Sequence, residues 1–312
     1  MYKLHFAILG AFLIGVLASC QTQNIDAGGD TATTFTANMA DIQRYVTSKG
    51  LSGTTTTSGL YYLSTQPGSS TVVPAYGQEI EFNYKLYVLN GPSNTGSTST
   101  TVVTDKLVDS AYAVTSTFFP LFAGSLKAGL EEGLLKMHEG ESAILIMPSI
   151  LAFGTVATTV GTIIPANSPV RFDVTLRRAR TEDQQIDEYV VANNLVVTEK
   201  TTTGVRFIKT KDNPTGLVPT AGQIITVNYA GKLLRATAGF VGGTGTDTKT
   251  VGVLKYVPGF EEGLAKLKVG EKATVIFPSS LGYGAVGAAQ DQTYVIPPYS
   301  PIRFDLEVVS AK

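Results

Sequence analysis

The side chains that most enzymes use for covalent or acid-base chemistry are scarce in this chain. Its 312 residues include one cysteine, Cys20, and two histidines, His5 and His138. His5 and Cys20 fall in an N-terminal stretch that reads as a secretion signal, with Lys3, an apolar run from Phe6 to Leu17, and then Ala18-Ser19-Cys20. Past that signal no thiol remains, which removes cysteine catalysis, disulfides and cysteine metal sites. His138 stands beside Glu139 in a polar turn before a strand, where a histidine is ordinarily solvated, so metal and Ser-His chemistry lack a partner set. No cofactor is expected, and a net charge of -1 argues against nucleic acid as a partner. Any catalysis must manage without strong acids and bases.

The element best placed to carry such work is the stretch Val257-Pro258-Gly259-Phe260-Glu261-Glu262-Gly263-Leu264. Pro258 and the carboxylates Glu261 and Glu262 signal a helix start, and Lys266, Lys268 and Gly270 signal its stop. Only about two to three turns fit between them. Phe260, Leu264 and Leu267 then share one face, which must be buried against something. The rest of the chain favours short strands joined by turns, being rich in Thr, Ser and Val and carrying 32 Gly. Alternation in Ala273-Thr274-Val275-Ile276-Phe277 and in Ile302-Arg303-Phe304-Asp305-Leu306-Glu307-Val308 predicts antiparallel strands with one wet face and one buried face.

One unit is written twice. Ile42-Gln43-Arg44-Tyr45-Val46 recurs as Ile186-Asp187-Glu188-Tyr189-Val190, and Gly59-Leu60-Tyr61-Tyr62-Leu63 recurs as Gly204-Val205-Arg206-Phe207-Ile208. Phe82-Asn83-Tyr84 then matches Val227-Asn228-Tyr229, and Leu130-Glu131-Glu132-Gly133-Leu134 matches Phe260-Glu261-Glu262-Gly263-Leu264. Glu139-Gly140-Glu141 is echoed by Val269-Gly270-Glu271, Ile164-Pro165 by Ile296-Pro297, and Pro169-Val170-Arg171-Phe172-Asp173 by Pro301-Ile302-Arg303-Phe304-Asp305. So many landmarks in one order imply a duplication.

The signal ends in Leu17-Ala18-Ser19-Cys20, which resembles a bacterial lipobox. In that lipoprotein family the cysteine becomes the lipidated N-terminus, so Cys20 is expected to anchor the chain to a membrane through acyl chains. The organisation expected is a signal at 1-20, a flexible polar tether at 21-40, a divergent domain at 41-180 and a second domain at 181-312. Gln21 after Cys20 carries no aspartate-type retention signal. The expected location is therefore a bacterial cell envelope, lipid-anchored in the outer membrane and facing the periplasm or the cell surface.

Val227-Asn228-Tyr229-Ala230-Gly231, Pro258-Gly259-Phe260-Glu261-Glu262-Gly263-Leu264, Gly282-Tyr283-Gly284, Ile296-Pro297-Pro298 and Phe304-Asp305 together resemble the FKBP-type peptidyl-prolyl isomerase family. The resemblance is strong over about 201-312 and weaker over about 55-180. It implies an α+β fold of two FKBP-like domains, each an antiparallel half-barrel sheet wrapped around a short helix. It also implies a shallow apolar hollow that receives proline. Phe260 would form the floor, where the family usually has tryptophan, with Tyr229, Val257, Ile296 and Phe304 as walls. The Tyr283 hydroxyl and the Val257 backbone N–H would donate to substrate carbonyls.

The sequence also departs from that pattern. The family commonly has a Phe-Asp pair after the long strand, and the second copy has none there, although Phe240 could supply the aromatic part and Asp247 the carboxylate. The first copy has Leu130 at the floor, Phe153 in place of the loop tyrosine and Lys127 in place of Val257, but its Val108-Asp109-Ser110 resembles the family's Phe-Asp-Ser. The first copy is therefore expected to bind or scaffold and the second to isomerise. The reading that follows is an enzyme acting on proline-containing unfolded or exported polypeptides in the cell envelope. The alternatives are a tandem chaperone with little turnover and, more remotely, a β-rich surface adhesin.

Overall fold

The computed structural model describes residues 30-95, 102-111, 117-240, 242-252 and 256-312. Tertiary contacts divide them into two units, one made of the described residues up to Tyr76 with Ile80–Ala179, the other of Gly77–Glu79 with Arg180–Lys312. In the first unit the order is α1 (Asp30–Ser48), β1 (Thr54–Thr55), β2 (Tyr61–Gln66), β3 (Glu79–Asn90), α2 (Pro92–Thr95), β4 (Thr104–Ala111), β5 (Thr117–Pro120), α3 (Ala128–Leu134), β6 (Ser142–Met147), β7 (Thr158–Val160), β8 (Thr162–Ile164) and β9 (Val170–Arg180). The second follows the same plan with α4 (Glu182–Ala192), β10 (Glu199–Lys200), β11 (Arg206–Lys211), β12 (Ile224–Leu233), β13 (Thr244–Thr250), α5 (Pro258–Leu264), β14 (Lys272–Phe277), β15 (Ala288–Gln290), β16 (Thr293–Ile296) and β17 (Ile302–Ala311). The fold class is α+β, with mostly antiparallel sheets and few helices.

The two sheets share one strand order, β1-β2-β6-β9-β3-β4 with β5 added beside β3, and β10-β11-β14-β17-β12-β13. Each copy also has a small separate hairpin, β7-β8 or β15-β16. In the second unit α5 begins with Pro258 in its first turn, where the missing N–H costs nothing, and ends after seven residues. Lys266, Lys268 and Gly270 lie past that end. Phe260, Leu264 and Leu267 are all buried against Val275, Phe277, Phe304 and Leu306 of the sheet.

Glycine sets how close that helix comes. A Cβ on Gly259 would run into the Phe277 ring and one on Gly263 into Val275 Cγ1. The first unit repeats the device, with Gly129 against Met147 and Gly133 against Leu145.

Two expectations need correction. The stretch expected to be a tether through residue 40 is helical from Asp30 onward. Its Thr-rich composition is a weak helix former, but tertiary packing overrides propensity: Asn38 is fully buried, and Phe35 and Met39 lie against Gly59. Cys20, the signal and the rest of the expected tether lie outside the described residues. The second correction concerns the sheet face expected to be wet. Ile208 and Ile276 are buried there with Ile186 of α4, backed by Tyr189, Val190 and Leu195. Helix α1 covers the matching face of the first unit, where Ile42, Tyr45 and Val46 pack on Ile144 and Ile146. Each sheet is thus sandwiched between a short inner helix and a longer outer one.

A buried carboxylate closes the turn after each inner helix. Glu271 accepts from the Lys268 N–H at 2.8 Å, from Lys209 Nζ at 2.9 Å and from the Asn213 N–H at 3.3 Å. Glu141 accepts from the His138 N–H at 2.9 Å and from Tyr62 Oη at 2.6 Å. His138 itself sits half exposed in that turn, with Nδ1 3.5 Å from Glu141 Oε2. Burial alone would raise the Glu271 carboxyl, but the Lys268 N–H and the Lys209 ammonium outweigh it and bring it down to about 2.

Gly263→Ala will destabilise the chain. In an open helix the change gains about 1 kcal/mol, but overpacking against Val275 costs roughly 1–3 kcal/mol. The urea midpoint should fall at unchanged m. For Glu271 the folded pKa lies below the unfolded value of about 4.3. Its contribution is therefore complete above that value and drains away as the pH falls toward 2. Urea midpoints taken between about pH 5 and about pH 2 should decline, and Glu271→Gln should flatten that decline while lowering stability near neutrality.

Candidate functional site

The register of the second sheet decides which side chains meet α5. On β17 the alternation buries Ile302, Phe304, Leu306 and Val308 on the inner face. Pairing places Gly231 and Val275 opposite Phe304, and Tyr229 opposite Leu306. Gly231 is required there: a Cβ would collide with the Phe304 ring and would lie 2.7 Å from Phe240 Cζ. The missing side chain lets Phe240 stand edge-on to Phe304 with centroids 5.7 Å apart.

Phe260 is the centre of the resulting aromatic group. Its ring centroid lies 4.4 Å from that of Tyr256, 5.0 Å from Phe304 and 5.8 Å from Tyr229. The contacts to Phe304 and Tyr229 are edge-on, at interplanar angles of 82° and 80°, which suits the ring quadrupoles. Only 2 % of Phe260 is exposed, so this ring is packed into the cluster. Ile296, at the end of β16, is buried in the same cluster, and Val257 and Tyr283 pack half-buried against it. All six residues singled out from the sequence are thereby brought together.

Two donors at this site have no protein acceptor among the described residues. Val257 is the residue preceding α5, and its carbonyl accepts from the Phe260 and Glu261 N–H groups at 3.0 and 3.2 Å. Its own N–H makes no hydrogen bond to a described residue. The Tyr283 hydroxyl also has no partner among the described residues, and burial raises its pKa, so the proton stays on the oxygen. An apolar ring floor with two open donors suits a group that is apolar on one side and carries carbonyls on the other.

Sequence reasoning missed Tyr256 and Phe277. Tyr256 Oη donates to Asp247 Oδ2 at 2.8 Å, while the Tyr256 N–H donates to Glu261 Oε1 at 2.9 Å. Burial raises the Tyr256 hydroxyl, and the bond to Asp247 raises it further; that same bond holds the Asp247 carboxyl down. Phe240 packs edge-on against Phe304 in this cluster, and Asp247 ties down Tyr256 and not Tyr283. A carboxylate paired with Val227 across a sheet from a residue nine positions later in the chain leaves no periodic mark.

The first unit carries different chemistry at the matching positions. Leu130 is fully buried at the floor. Lys127 Nζ lies 5.2 Å from the centroid of the Phe153 ring, and burial lowers its pKa. Tyr84 Oη donates to Asp109 Oδ2 at 2.6 Å, so Val108-Asp109-Ser110 does hold a tyrosine-carboxylate pair. The hydroxyl that Tyr283 offers is absent at Phe153, and a cation lies over that ring.

The model of the FKBP-type peptidyl-prolyl cis-trans isomerase family matches residues 72–177 and again 216–309. The chain is 29% identical over 189 residues to the human peptidyl-prolyl cis-trans isomerase FKBP9, covering 60% of this chain and 29% of that protein. It is 34% identical over 100 residues to FK506-binding protein 1 of Dictyostelium discoideum, covering 31% of this chain and 89% of that relative. Among solved structures, the three FKBP domains of wheat FKBP73 align over 81% of this chain and 94% of theirs, with 20% identity and a TM-score of 0.36. The chain spans less than a third of the human relative.

Proposed function

The chain belongs to the FKBP-type peptidyl-prolyl cis-trans isomerase family, and we propose that its second unit turns over X-Pro bonds in the hollow floored by Phe260. The observation that carries this reading is the closed aromatic group around Phe260 beside two donors that no described residue occupies, the Val257 N–H and the Tyr283 hydroxyl. Rotation about the peptide bond costs about 18–20 kcal/mol because amide resonance is lost in the twisted state. No bond is made or broken. Lowering that barrier requires only that the twisted amide be bound better than either planar form. The apolar floor takes the proline ring out of water, and the two donors hold the flanking carbonyls in a dry setting where hydrogen bonds act strongly.

The substrates in this reading are proline-containing unfolded or exported polypeptides. Uncatalysed isomerisation takes tens to hundreds of seconds and can limit folding. Leu17-Ala18-Ser19-Cys20 supports attachment to the cell envelope through lipid on Cys20. A second reading, a tandem binding protein with little turnover, is favoured by one specific observation: the first unit has Lys127 over Phe153 where the second has Val257 and Tyr283.

The test is the cis-to-trans conversion of a short X-Pro peptide by the full chain. Tyr283→Phe should lower kcat/KM between about 2-fold and about 12-fold, the worth of one neutral hydrogen bond of about 0.5–1.5 kcal/mol. Phe260→Leu, which copies the first unit's floor, should weaken it as well, whereas Leu130→Phe should leave it unchanged. Absence of turnover in the unmutated chain together with retained binding of an unfolded protein establishes the second reading instead. For the anchor, the chain expressed in a bacterial host should partition into detergent and carry acyl mass on Cys20. Cys20→Ala should stay in the aqueous phase, and equal partitioning of both would end the lipoprotein reading.

A further inference from the structure

The loop that carries Tyr283 is held by a residue outside the β-sheet and outside the hollow. Glu182, the first residue of α4, accepts from the Ser279 N–H at 2.5 Å through Oε2 and from Ser279 Oγ at 2.6 Å through Oε1. Ser279 is itself buried, and its carbonyl accepts from the N–H groups of Gly282 and Gly284 at 2.8 Å each, the residues on either side of Tyr283. The Tyr283 carbonyl accepts from the Gly287 N–H at 3.0 Å, and the Gly284 carbonyl from the Tyr299 N–H at 2.9 Å. One carboxylate thus anchors the turn around Tyr283 and, through Gly284, the segment that follows Ile296. A carboxylate at the positive end of α4 is electrostatically favoured where it stands.

The duplicated copy meets the same demand with a different side chain. Asn38 of α1 precedes Ile42 by four residues, as Glu182 precedes Ile186. Its Oδ1 accepts from the Ser149 N–H at 2.8 Å, and its Nδ2 donates to the Asn167 carbonyl at 2.9 Å. Ser149 O then accepts from the Gly154 N–H at 2.8 Å, and Gly154 O accepts from the Asn167 N–H at 3.0 Å. The amide reaches both loops directly. The carboxylate places both of its bonds on the serine that precedes Tyr283.

We propose that Glu182 is a positioning residue for the Tyr283 hydroxyl, setting from α4 the geometry of the proline hollow. The proposal rests on the isomerase reading of the second unit. Satisfying a buried N–H would by itself be a structural role, so the test must read the tyrosine.

In the full chain, amide exchange at Gly282, Gly284 and Gly287 should quicken roughly tenfold in Glu182→Ala, as loss of a charge-assisted bond frees the turn. Glu182→Gln keeps an acceptor for the Ser279 N–H and should stay within about 2-fold. Exchange at Val275 of β14 reports the fold as a whole and should not change in either variant. With an X-Pro peptide, Glu182→Ala should lower kcat/KM when Tyr283 is present and have no further effect on top of Tyr283→Phe, a coupling that a general loss of stability does not produce. Unchanged exchange at the three glycines overturns the proposal, and so does a kinetic loss that persists in full in the Tyr283→Phe background. If the unmutated chain has no turnover, the isomerase reading fails. The exchange measurement then decides by itself whether Glu182 holds the loop.

Discussion

Everything at the site depends on how closely a seven-residue helix can approach the sheet beneath it. A helix that short has no stability of its own, because nucleation costs more than its few internal hydrogen bonds return. It persists by burying Phe260 and Leu264, and it can bury them only because Gly259 and Gly263 bring its backbone down onto Phe277 and Val275. Close contact also tilts the Phe260 ring between Tyr256 and Phe304, so the packing that stabilises the helix is the packing that makes the floor. Fold and site share one set of contacts.

The outer helices solve a second problem. A strand buried on both faces needs apolar residues on both, and Ile276, directly beside the inward-facing Val275 and Phe277, supplies the outer one. Covering it with α4 brings a helix N-terminus and its acidic first turn to the edge of the sheet. There Glu182 reaches Ser279, and Asp183 pairs with the buried Arg206. The same helix that completes the core reaches the loop ahead of Tyr283. Arg303 shows this too, bonding Tyr189 of α4 at 2.8 Å while pairing with Asp305 on its own strand.

The two copies share what the fold demands and differ at the positions of the proposed site. The glycines under the inner helix, the glutamate closing the following turn, and the arginine-aspartate pair on the last strand occur in both, as Gly129 and Gly133, Glu141, and Arg171 with Asp173. The residues at the positions of the proposed site differ: Leu130 for Phe260, Phe153 for Tyr283, Lys127 for Val257. A desolvated ammonium over an aromatic ring is a poor neighbour for a neutral proline ring. These framework features are shared, and these three differences fall at the proposed site.

Much of this was legible in the sequence. Periodicity, turn residues and the order of the duplicated landmarks determined the antiparallel strands, the duplication, and the short helix with its buried face, because local propensity and burial pattern agree there, whereas the α+β class and the residues that converge on the helix came from the family resemblance that those motifs carry. Three features were decided only by tertiary structure. A Thr-rich segment became a helix from Asp30 because Asn38 found partners at Ser149 and Asn167, more than a hundred positions away. The sheet face that alternation marked as wet was covered, because one isoleucine per strand does not reveal that a helix will pack on it. The link from Asp247 to Tyr256 and that from Glu182 to Ser279 join residues whose separation along the chain has no period. Sequence patterns report the face on which a side chain lies, but a hydrogen bond between distant segments exists only once the chain has folded and brought donor and acceptor within reach.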